Sequence, residues 1–194
     1  MSEPRAFLEL GFRHITTLSA LDHLLFLLVL VAPYRPRDWR RLVAVASAFT
    51  LGHSVTLALV VTDALRLPTA LVEFLIPLTI IGAALDNLRQ GAETRRGWLG
   101  PLLAAGFGLI HGAGFASFLR EMFTGSVALP LFAFNLGIEL GQLAVVTALL
   151  LLLSGLDRGL RLARPGTGPR SRVLLASAGA ALWALAIAVQ RTPW

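Results

Sequence analysis

Four histidines, His14, His23, His53 and His111, fall in or beside apolar stretches of this 194-residue chain. Imidazole in its neutral form ligates first-row divalent ions, and carboxylate oxygen serves the same ions. Carboxylates occupy similar settings: Asp22 directly precedes His23, Glu73 lies near the start of one apolar run, and Glu139 sits inside another with Asn135 and Gln142. Residues four and seven apart share a helix face, so Asn135, Glu139 and Gln142 make a single polar stripe. An ionisable group at membrane depth costs about 2.5 kcal/mol or more, and it normally turns inward toward a partner. Together, His23, His53, His111 and Glu139 are expected to form an intramembrane ligand set for a divalent transition metal: nickel, cobalt, zinc or iron. His14, Asp22, Glu73, Asn135 and Gln142 are expected to support it by orienting ligands or balancing charge. Any one of these histidines alone reads equally well as interhelical glue; the coincidence of several at similar depth favours a site.

The elements that position these groups are apolar runs at about Ile15–Ala32, Leu42–Val61, Thr69–Leu88, Leu99–Leu119, Leu129–Leu153 and Val173–Val189. Each approaches the roughly 20 residues needed to cross about 30 Å of hydrocarbon. Backbone in lipid must satisfy its own hydrogen bonds, so the expected fold is all-α, a bundle of about six transmembrane helices. Residues 1–14 read as a short interfacial segment and 15–153 as a five-helix, polar-lined core. Residues 154–172 read as a basic loop, and 173–194 as a sixth helix and C-terminus. Glycines around His111, in Gly106-Phe-Gly-Leu-Ile-His-Gly-Ala-Gly-Phe115, point to close helix packing more than to unwinding. Pro77 removes an N–H that would otherwise bond a carbonyl near Glu73.

Composition supports the membrane reading. The chain is 56% hydrophobic and 14% charged with a mean hydropathy of +0.73, where soluble domains carry about 25% charged residues. The net charge of +6 resides in loops and calls for no nucleic-acid partner. The stretches Tyr34–Arg41, Arg89–Trp98 and Ser154–Arg172 hold most of the arginines, which places them in the cytoplasm and both termini outside. A bacterial-type inner membrane is the expected location, with the lipid bilayer and a metal ion as partners; a homo-oligomer is compatible with the sequence. The absence of cysteine excludes thiolate ligands, and two methionines argue against a thioether copper site.

Several blocks in order resemble the HupE/UreJ family of small membrane proteins. They are Gly11-Phe-Arg-His14, Asp22-His23-Leu-Leu-Phe26, Ala48-Phe-Thr-Leu-Gly-His53-Ser-Val-Thr-Leu57, Glu73-Phe-Leu-Ile-Pro-Leu-Thr79, Gly108-Leu-Ile-His111-Gly-Ala-Gly-Phe-Ala116 and Phe134-Asn-Leu-Gly-Ile-Glu139-Leu-Gly-Gln142. The step from His14 to Asp22-His23, across Thr16–Leu21, is longer than in many members and is similar to a longer-spaced branch. The resemblance implies nickel or cobalt uptake, or a metal-related role more generally. A metal-ion permease is therefore the first expectation. A membrane-embedded metalloenzyme, with Glu139 or Glu73 as general base acting on water or dioxygen, ranks below it. A non-catalytic assembly or sensor protein is the third.

Overall fold

The computed structural model describes residues 3–18, 20–90, 98–122, 127–163 and 169–193. Seven α-helices follow one another among these residues: α1 (Glu3–Thr16), α2 (Leu21–Val31), α3 (Trp39–Val61), α4 (Thr69–Gln90), α5 (Leu99–Met122), α6 (Ala128–Ala163) and α7 (Pro169–Gln190). A 3-10 turn, Pro36–Asp38, opens α3, with the Asp38 carboxylate accepting the Arg35 N–H at 3.1 Å. Helices α3 to α7 are each long and apolar enough to cross a membrane. α1 and α2 form a bent pair, inclined at 66°, that gives a sixth crossing when counted as one broken span.

The first crossing differs from the continuous helix expected over Ile15–Ala32. α1 already runs from Glu3 and ends at Thr16, and α2 starts at Leu21. Threonine and serine compete for backbone hydrogen bonds and weaken a helix interior. Thr16 spends its hydroxyl on the Phe12 carbonyl at 2.9 Å, and the chain turns just after it. α1 is laid along α6 with Phe7, Gly11 and Ile15 buried. At the other end, α6 continues through 154–163, so much of the expected basic loop is helix. At 1.5 Å per residue its 36 residues extend about 54 Å, well beyond the hydrocarbon. The charged stretch 91–97 and the Gly/Pro stretch 164–168 lie outside the described residues.

Two glycine seams set the architecture. On α6, Gly137 meets the Leu8 carbonyl and Gly141 the Phe12 carbonyl, while Gly11 on α1 meets the Phe134 carbonyl. On α5, Gly108 meets the Phe49 carbonyl and Gly112 the His53 carbonyl, while Gly52 on α3 meets that of Ala105. A Cβ at any of these positions would collide with backbone, except that Gly141 is slightly looser. Small residues at such crossings let helix axes approach closely. In both seams the contacting positions advance together along the two chains, so α1 runs parallel to α6 and α3 parallel to α5. Successive helices from α3 onward then alternate in direction. The ends bearing Arg35, Arg37, Arg40, Arg41, Arg89, Arg158 and Arg161 collect on one face of the bundle.

Polar ties fasten this frame. Asn87 on α4 donates to the Val29 carbonyl on α2 at 2.7 Å and to Ser177 Oγ on α7 at 3.2 Å. Arg172 on α7, 5% exposed, bonds Asp157 Oδ2 on α6 and the Tyr34 carbonyl, both at 2.9 Å. On the opposite face Asp63, at φ 61° after α3, receives Arg66 and Arg120. The hydrogen bond from Arg66, then the two positive charges, hold the Asp63 carboxyl below its ordinary range.

Candidate metal centre

The seams bring the histidines together from four helices. α1 carries His14 near its last turn, α2 carries His23 in its first turn, and α3 and α5 carry His53 and His111 beside the close crossing. Each of His14, His23 and His53 offers a ring nitrogen within 4.8 Å of the other two. Ring centroids are 4.7 Å apart for His14–His23, 6.2 Å for His14–His53 and 6.4 Å for His23–His53. His111 adjoins the group, with its ring 5.4 Å from that of His23. Nitrogens shared by a tetrahedral zinc-sized ion stand about 3.4 Å apart for metal–nitrogen bonds near 2.1 Å.

Hydrogen bonding fixes which nitrogens are free. His23 Nδ1 lies 3.0 Å from Asp22 Oδ1, and a carboxylate only accepts, so Nδ1 carries the proton. The lone pair of His23 is then on Nε2, a buried atom with no partner among the described residues. Thr79 donates its hydroxyl to the Ile76 carbonyl at 2.7 Å, so its oxygen accepts from His111 Nε2 at 2.9 Å. The free lone pair of His111 is therefore on Nδ1, again buried and unpartnered. His14 Nε2 and both nitrogens of His53 are in the same state. Buried polar atoms are rarely left without a partner, and imidazole nitrogens with free lone pairs grouped this closely could hold a metal ion.

A cavity of about 430 Å³ leads from the face opposite the arginine-rich one to this cluster. Its wall includes His14, His23 and His111, with Asp22, Glu73 and Arg191 nearer the mouth. Arg191 NH1 stands 3.6 Å from Asp22 Oδ2. His53 is fully buried behind the cavity wall. Phe115, 4.1 Å from His14 by ring centroid, and Phe134, at 5.8 Å, close the apolar side.

The polar stripe of α6 is placed differently. Gln142 is fully buried, accepts from Thr50 Oγ1 at 2.7 Å and donates to the Ala46 carbonyl at 3.0 Å. Glu139 accepts from Ser47 Oγ at 2.5 Å and keeps its other oxygen buried without a partner. Ser47 precedes His53 by six residues, roughly 9 Å along α3, and Glu139 is outside the compact group of histidines. Asn135 likewise keeps a buried, unpartnered Oδ1. Glu73 is exposed at the cavity mouth. Reading the residue types alone passed over Ser47 as the partner of Glu139 and Thr79 as the partner of His111. The seven-residue step between Thr79 and Asp86, two polar residues on one face of a helix about two turns apart, was the available signal that α4 contributes at two depths.

Helical membrane architecture with a buried multi-histidine pocket defines the class of the molecule. The family profile described as HupE / UreJ protein matches residues 1–194, and the chain belongs to that family. Searches of curated proteins and of solved structures return no match.

Proposed function

We propose that this protein is a divalent transition-metal permease of the nickel/cobalt type in the cytoplasmic membrane. His14, His23 and His53 form the core of its transit site, and His111 stands as an adjacent ligand. The observation that carries this reading is the set of buried, unpartnered nitrogens on four imidazoles, with His14, His23 and His111 lining a cavity and His53 grouped with His14 and His23 behind its wall. Asp22 orients His23 and supplies negative charge beside it, while Glu73 at the mouth draws cations inward. Neutral imidazoles bind a borderline ion firmly enough to select it and weakly enough to release it. The arginine-rich face is cytoplasmic by the positive-inside rule, so the cavity receives ions from outside. The ion is the cargo here and its own gradient or a proton gradient supplies the driving force.

The test is uptake of nickel and cobalt into proteoliposomes containing wild-type protein or His53→Ala. Uptake should be lost in the variant; wild-type rates would sink the proposal. Near-stoichiometric metal retained through purification, with no flux, would instead turn attention to a metalloenzyme.

A further inference from the structure

A second cavity, of about 370 Å³, lies on the arginine-rich side of the histidines and takes no part in the site described above. Ala83, Leu103 and Phe107 line its apolar wall, and Asp86, Asn87 and Gln90 stand in the last turns of α4. Gln90 donates to Asp86 at 2.7 Å, which makes that end of the cavity polar. Its deep end is Phe26, which is 1% exposed. The Phe26 ring stacks on Phe49 at 4.7 Å, meets Phe107 edge-on at 6.1 Å and lies 5.3 Å from His111. His111 in turn lines the cavity that opens on the opposite face. The two cavities are thus separated by little more than one layer of aromatic rings.

We propose that the second cavity is the cytoplasmic release chamber of the ion path, and that Phe26, backed by Phe49 and Phe107, is the barrier closing it from the histidines. This rests on the permease reading for the identity of what passes. Hydrophobic constrictions block hydrated ions by excluding water, and rotation of one ring is enough to join two water-filled spaces. Ring faces also attract a cation weakly, so a displaced phenylalanine does not repel the ion it admits. The barrier accounts for a site reached from one side while a second chamber waits on the other.

The native chain has no cysteine, so single-cysteine reporters need no background removal. Ala83→Cys reports on the second cavity and Thr17→Cys on the first. Each is treated with a membrane-impermeant cationic thiol reagent in right-side-out and inside-out vesicles, without metal. Ala83→Cys should react only from the arginine-rich side and Thr17→Cys only from the other. Adding Phe26→Ala should let Ala83→Cys react from the opposite side at least tenfold faster than before. Phe107→Ala, a change at a partly exposed ring, gives the same readout if Phe26→Ala does not fold. Failure of Ala83→Cys to react from the arginine-rich side, or unchanged sidedness in a folded ring variant, would overturn the proposal. Labelling reads water access and not flux, so it decides on the chamber even if His53→Ala transports normally.

Discussion

At the residue scale, Asp22 orients His23 through its Nδ1–H. Asp22→Asn keeps the size but offers Nδ1 a weaker acceptor, and loss of such a supporting partner typically weakens metal binding about 10–100-fold. Equilibrium dialysis of nickel and cobalt against purified protein should show that loss with the fold intact by circular dichroism. His14→Ala should weaken binding at least as much as His111→Ala, since His14 belongs to the tight group and His111 adjoins it. Gln142→Ala, by contrast, should leave metal affinity unchanged and lower stability by roughly 0.6–2 kcal/mol, the range for interhelical hydrogen bonds in membranes, read by denaturant titration in bicelles. The histidine types were legible in the sequence because intramembrane imidazole is rare. His14 was ranked below the others because its depth depends on where the first helix begins. Glu139 ranked high because helical spacing reveals a shared face, yet spacing cannot reveal that Ser47 waits opposite.

At the element scale, glycine placement decides which helices touch. Gly108→Leu would drive a side chain into the Phe49 carbonyl, and overpacking of this kind costs about 1–3 kcal/mol or more. It should also disturb the neighbouring His53 and reduce metal binding. Gly106→Ala and Gly82→Ala meet nothing within 4 Å and should be neutral or mildly stabilising in the same titration. Five crossings, and a sixth when the bent α1–α2 pair counts as one span, were readable from hydropathy, because length and apolarity alone set that number. The division of the first crossing was not, since Thr16–Ala20 is too short to register as a gap in an apolar run. The extension of α6 was equally hidden: arginines mark the end of the membrane but do not end a helix.

At the scale of the whole molecule, the buried Arg172–Asp157 pair joins α6, α7 and the α2–α3 connection at one face. Removing one member of a buried pair leaves the other charge uncompensated, so Arg172→Ala should cost about 3–5 kcal/mol and Arg172→Ala/Asp157→Ala less. The Asp63 cluster on the far face behaves differently with pH. Its carboxyl is held below the ordinary range by Arg66 and Arg120, so its contribution persists at neutral and mildly acidic pH and fades only as pH falls through that lowered value. Unfolding midpoints of wild type and Asp63→Asn should differ equally at about pH 7 and pH 5.

The broken first crossing also shapes the field around the ion. α1 ends near the cluster with its carbonyl pole and α2 begins there with its amide pole, each worth about half an elementary charge and opposite in sign. Those poles nearly cancel, leaving Asp22 as the fixed negative charge beside His23, with Arg191 as its counter-ion at 3.6 Å. A divalent ion taken up there, as proposed above, would compete with an arginine for Asp22, an exchange of one cation for another. On the permease proposed above, that exchange would leave the pocket short of full neutralisation, which suits a way station and not a store.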